Sequence, residues 1–126
     1  MNDIQNHNLD YLAARRAQEL IGTLKKEGIK IKDAENSLTK ALGVLQENGV
    51  YACFLYLLAR EKEIGPTVIK QMRELLRDVG VQVTSRDNLE YAAELTADLP
   101  TLLLAKEALE RFLTYARYGA KAAQKE

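Results

Sequence analysis

Lys70, Arg73 and Arg77 step by three and four along GPTVIKQMRELLRDVG, residues 65–80. On an α-helix, at about 100° per residue, that spacing gathers them within about 60° of one another. Val68, Ile69, Met72, Leu75, Leu76 and Val79 repeat at the same steps on the opposite side, so the cations face away from an apolar stripe. Three cations along about 10 Å of helix can track the phosphates of a nucleic-acid strand. Glu74 and Asp78 stand close by, and Lys70 with Glu74 can pair at i,i+4, as on an ordinary solvated face. A second basic row comprises Tyr11, Arg15, Gln18 and Lys25, with Lys26 beside them. An exposed tyrosine among cations can stack a nucleobase. Arg16 falls nearer the apolar side, where it is expected to snorkel or to pair with an acid from residues 87–110. On spacing alone a solvated face accounts for either row. Two rows with arginine prominent add to the nucleic-acid case without settling it.

Other reactive residue types lack companions. Structural metal sites draw on clustered Cys and His, and this chain has one of each, His7 and Cys53, far apart in sequence. A di-iron carboxylate bundle needs Glu-x-x-His on two helices, and neither copy is present. His7 lies in a polar N-terminal stretch and is expected to be exposed. Cys53 sits among Tyr51, Ala52, Phe54 and Leu55, a setting for a small packed hydrophobe rather than an activated nucleophile. Ser37-Leu-Thr-Lys40 matches S-x-x-K of serine β-lactamases, but the companion S-D-N and K-T-G motifs are missing. Glu90 and Glu94 share a helix face as a pair of solvated carboxylates would. No glycine-rich phosphate loop is present. These residues call for no cofactor, no metal and no catalytic centre.

The chain has 126 residues, enough for one domain with a continuous core. Eighteen Lys+Arg balance eighteen Asp+Glu, so bulk charge selects no partner. The charge is unevenly placed: Asp87, Glu90, Glu94, Asp98, Glu107 and Glu110 face only Lys106 within residues 87–110, whereas basic residues dominate after Glu110. A lone cysteine asks for no oxidising compartment. The polar start MNDIQNHNLDY lacks the apolar core of a signal peptide, and VYACFLYLLA is half of what spans a bilayer. The expectation is a soluble, cytoplasmic protein without membrane contact.

The elements that must position these residues are helical. Leu9, Leu12, Ala13, Ala17, Leu20 and Leu24 make a first stripe, ended by Gly28. Asp33 is placed to cap a second helix bearing Ala34, Leu38, Ala41, Leu42 and Leu45. Asn48-Gly49 closes it through a left-handed glycine. Val50–Ala59, apolar nearly all round, predicts a central helix buried on most sides. The 65–80 helix follows, with Pro66 in its first turn and Gly80 past its end. Val81-Gln-Val83-Thr alternates like a strand but has no partner, so it reads as an extended linker. Asp87 and Glu90 mark the start of a short helix to about Ala97, and Pro100 stands near the start of a last helix carrying Leu102, Ala105, Leu109, Leu113 and Ala116. The fold class is all-α: one domain over residues 1–126, a compact bundle of about six helices with short connections.

Three stretches, LDYLAARRAQEL, SLTKALGVLQENGVYACFLYLLA and KEALERFLTYARYGAKAA, together resemble the small subunit of the Cmr (type III-B) CRISPR RNA-guided effector complexes. The likeness runs over nearly the whole chain and rests on the combination, since each stretch is mostly a packing pattern. A tryptophan is common in the family's last helix about where Tyr115 stands here, an aromatic in a core-facing role. The resemblance implies a non-catalytic subunit of an antiviral ribonucleoprotein. Such subunits stack in several copies beside the backbone subunits that hold the guide RNA, with basic surface along the guide–target duplex. The implied partners are other Cmr subunits, further copies of this chain, guide RNA and target RNA. Base pairing would read sequence, leaving phosphate contacts to the protein. The family offers no short binding motif, so the candidate nucleic-acid contacts Lys70, Arg73, Arg77, Arg15, Lys25 and Lys26 rest on helical geometry. A helical protein–protein adaptor without RNA contact is the alternative.

Overall fold

The computed structural model describes residues 8–124 and is all-helical. Its six helices are α1 (Leu9–Lys26), α2 (Ile31–Asn48), α3 (Val50–Arg60), α4 (Gly65–Asp78), α5 (Asn88–Leu95) and α6 (Leu99–Ala123). Local chemistry sets most of their ends. Asn8 accepts from the Tyr11 amide at 3.1 Å, capping α1. Asp87 accepts from the Glu90 amide at 2.9 Å at the start of α5. Asp98 accepts from the Thr101 amide at 3.1 Å at the start of α6, beside Pro100 in its first turn. Asp33 does not cap α2. That helix begins two residues earlier, at Ile31, with Lys30 as cap residue and no side-chain cap, and Asp33 lies within its first turn. There the carboxylate complements the helix dipole instead.

Gly49 alone separates α2 from α3. Its φ of 100° and ψ of −175° lie in the extended mirror region rather than the left-handed helical one, a conformation open to glycine. Its amide donates to Leu45 O and its carbonyl accepts from the Cys53 amide, so one residue ends one helix and starts the next. Gly65 matters for a different reason. A Cβ there would lie 2.3 Å from the Leu57 carbonyl oxygen, so α4 can start against α3 only without a side chain.

The core runs through all six helices. α6, 25 residues long, packs chiefly against α1 and α2, and buries Ala105, Ala108, Leu109, Phe112, Leu113, Ala116 and Ala120. Its alanines let the neighbouring helices approach closely. α4 packs on α1, and α3 on α2, α5 and α4. The expected central role of α3 is therefore corrected: the central helix is α6. α3 buries one face through Val50, Cys53, Phe54 and Leu57, while Tyr51 and Leu55 are 40% and 44% exposed. Apolar composition all round signals burial only where other helices suffice to cover it, and an 11-residue helix at the rim is covered on one side.

Candidate nucleic-acid interface

α4 stands where it does because Val68, Ile69, Met72, Leu75 and Leu76 are buried beneath it. Its exit is fixed as well. The Gly80 amide bonds Arg77 O and the Val81 amide bonds Leu76 O, the paired bonds of a Schellman ending, and Val81 turns into the core. The chain then runs to Asp87 with burial alternating residue by residue, as an extended segment packed on one side gives. Between α4 and this linker lies an open groove of about 700 Å³. Lys70, Arg73 and Arg77 all line it, with Val81, Val83 and Tyr91.

The three cations differ in what they already hold. Arg73 is half-buried, its guanidinium carbon 4.0 Å from the centroid of the Tyr91 ring. It donates to the carbonyls of Ser85 and Arg86 and to Asn88 Oδ1, so it ties the linker and the start of α5 to α4. Arg77 is exposed and pairs with Glu74 at 2.5 Å. The expected Lys70–Glu74 pair does not form: Glu74 pairs instead with Arg77, three positions on, and Lys70 is exposed and makes no ion pair among the described residues.

The row on α1 is dispersed. Arg15 lies 6.0 Å from the Tyr11 ring and donates to its hydroxyl at 3.3 Å, beside a shallow depression shared with Asp78. Lys25 is exposed and borders a different depression, between α1 and α6, with Ile21, Tyr115 and Gly119. Lys26 is exposed in the last turn. Arg16 forms a 2.8 Å charge-assisted bond to Asp78 and a second contact to Glu19. Its partner is thus an acid of α4, not of residues 87–110: Arg16 meets Asp78, while on α6 Glu107 accepts from Arg111 and Glu110 from Gln46. The Asp78 hydrogen bond holds the Arg16 pKa above its ordinary value.

Reactive side chains elsewhere are occupied. Cys53 is fully buried and donates to Ala41 O, and burial pushes its thiol up to about 12. Ser37 donates to Glu61 at 2.7 Å rather than meeting Lys40. Tyr56 donates to the other oxygen of Glu61 at 2.6 Å; burial and that bond raise its phenol to about 12. Ser85 donates to Glu94. Tyr115 is half-buried against the core, and its hydroxyl donates to Asp10. His7 lies outside the described residues. Among the described residues, no cluster of His, Cys, Asp and Glu is arranged to hold a metal, and no helix is long and apolar enough to cross a membrane.

Sequence reasoning placed the α4 cations on one face but missed the groove's other wall. Tyr91 is not among the residues singled out from the sequence, and nothing there pairs it with Arg73. The Val81–Thr84 alternation was the available signal, since it says that one side of the linker is covered. No protein-family model, curated protein or solved structure matches this chain.

Proposed function

We propose that this chain is a non-catalytic nucleic-acid-binding subunit, the small helical subunit of a type III-B CRISPR (Cmr) effector ribonucleoprotein. The observation that carries the reading is the α4 groove, where Lys70 and Arg77 stand exposed on one wall of an open channel and Arg73 adds its charge from within. Glu74 offsets one of these three charges, so the groove keeps a positive balance in a protein of zero net charge. The resemblance to the Cmr small subunit supplies the assembly. In it the chain contacts guide and target RNA in the cytoplasm, beside the backbone subunits and further copies of itself. Arg15, Lys25 and Lys26 would serve as secondary phosphate contacts on separate parts of α1.

The adaptor reading has one observation in its favour. Tyr51 and Leu55 on α3, and Leu99 and Leu103 on α6, expose large apolar side chains of the kind that mark subunit contacts. Docking through these residues is compatible with either reading; docking alone, without RNA, is the adaptor. Native purification from the source organism, with mass spectrometry of the partners and sequencing of bound RNA, separates them. Co-elution with several larger proteins and short repeat-derived RNAs is expected. Recovery with protein partners but no RNA would favour the adaptor, and recovery as a lone protein would sink both.

A further inference from the structure

The floor of the α4 groove is built for more than phosphate. Arg73 lies on Tyr91, and the carbonyls of Ser85 and Arg86 with Asn88 Oδ1 hold its N–H edge. A guanidinium held along its edge does not turn to fork a phosphate, yet its plane remains a surface on which a nucleobase stacks. The linker adjoins it at Val83, whose apolar side chain is half-buried, and at Val81, which is buried in the core. The amides of Gln82, Val83 and Thr84, on the same wall, make no hydrogen bond among the described residues and are left as donors for the edge of a ring. Lys70 and Arg77 stand opposite. The Arg77–Glu74 pair has an arginine side chain 75% exposed, so a phosphate can replace Glu74 at little cost. A groove of about 700 Å³ falls within the range of about 300–1,000 Å³ that holds small organic groups.

We infer that this groove takes one unstacked nucleobase of a single-stranded nucleic acid, its ring on Arg73 and against the linker at Val83, its flanking phosphates on Lys70 and Arg77. The inference rests on the nucleic-acid reading above and narrows it, because a base held in a duplex is already stacked and paired and cannot enter. An acidic peptide would match the charge but brings no flat ring to the floor.

The test is fluorescence anisotropy of the full chain with short RNAs of equal length. The probes are a single strand, the same strand in a duplex, and an abasic sugar–phosphate strand of equal charge. Polyglutamate serves as competitor. The single strand should bind about tenfold more tightly than the abasic strand, the scale of one stacked base, and more tightly than the duplex. Val83→Glu, which puts a carboxylate at the floor, should abolish that preference in protein that circular dichroism shows to be folded, at a lower melting temperature because Val83 packs on the core. Val83→Ala, which loses the same packing without a charge, should keep the preference. Asn36→Asp, the same added charge on an exposed side chain of α2 away from the groove, should keep it. Equal binding of single and abasic strands would overturn the inference and leave the phosphate reading standing. Displacement by polyglutamate as readily as by RNA would overturn it in favour of a peptide partner. An absence of RNA binding would remove both. Cross-links from 5-iodouridine should fall in residues 81–91; cross-links at Tyr11 instead would move the base to α1 and overturn the assignment.

Discussion

The basic rows of α4 and α1 read alike in sequence, three cations each at helical spacing on the side away from an apolar stripe, and the fold treats them differently. On α4 the next segment of chain folds back along the row and makes a second wall, so the three cations line one groove. On α1 no segment does this, and Arg15 and Lys25 border separate depressions. Helical spacing fixes which residues share a face. What lies beside that face is decided by the following chain, here by the Schellman ending at Gly80 and the burial of Val81.

The sharpest way to break this comparison is paired charge reversal. Lys70→Glu with Arg77→Glu should weaken single-strand RNA binding by about thirtyfold at low salt, with circular dichroism and melting temperature unchanged, since neither side chain holds the fold. Lys25→Glu with Lys26→Glu should weaken it by only about threefold in the same anisotropy assay, through the general field. Equal losses would show that the two rows act as one surface.

Arg73 separates the rows in a second currency. Arg73→Ala removes three hydrogen bonds and the Tyr91 contact. The expected cost is about 2 kcal/mol in urea unfolding. Arg15→Ala, at an exposed site, should change stability by less than about 0.5 kcal/mol. Hydrogen exchange at residues 82–87 should quicken in Arg73→Ala and stay unchanged in Arg15→Ala. A stable Arg73→Ala with a protected linker would mean that the latch is dispensable.

The fold itself was largely legible. Stripes at three- and four-residue steps gave all six helices, and Asp87, Pro66, Pro100, Gly49 and Gly80 gave most of their ends. The errors share a cause. Asp33, the centrality of α3 and the Lys70–Glu74 pair were judged from neighbours in sequence and the partner of Arg16 from the uneven placement of charge, whereas each outcome depended on a neighbour in space or on a competing local partner. Periodicity shows that α3 is apolar, but only the packing of α6 against α1 and α2 shows that α3 is left at the rim. For the candidate site, the face was legible and the groove was not, because the Arg73–Tyr91 contact joins residues of two helices across the linker.

The smallest expected effect concerns pH. The folded-state phenol of Tyr56, raised to about 12 from an ordinary value of 10.0, contributes stability that is full below pH 10 and lost as pH rises toward 12. Tyr56→Phe should therefore lose less stability than the wild type over that window, read as a shallower fall in melting temperature. The groove should be indifferent to this change, since Tyr56 bonds Glu61 and not α4. A change in RNA binding by Tyr56→Phe would link regions that the structure keeps apart.

The most direct test of the central claim is the salt dependence of single-strand RNA binding by the full chain and by the Lys70→Glu, Arg77→Glu variant. For two lost phosphate contacts the slope of log K against log salt should become shallower by about 1.4, at about 0.7 per phosphate on a single strand. An unchanged slope, with the variant folded, would contradict the assignment of these two cations to phosphate and with it the groove as the nucleic-acid interface.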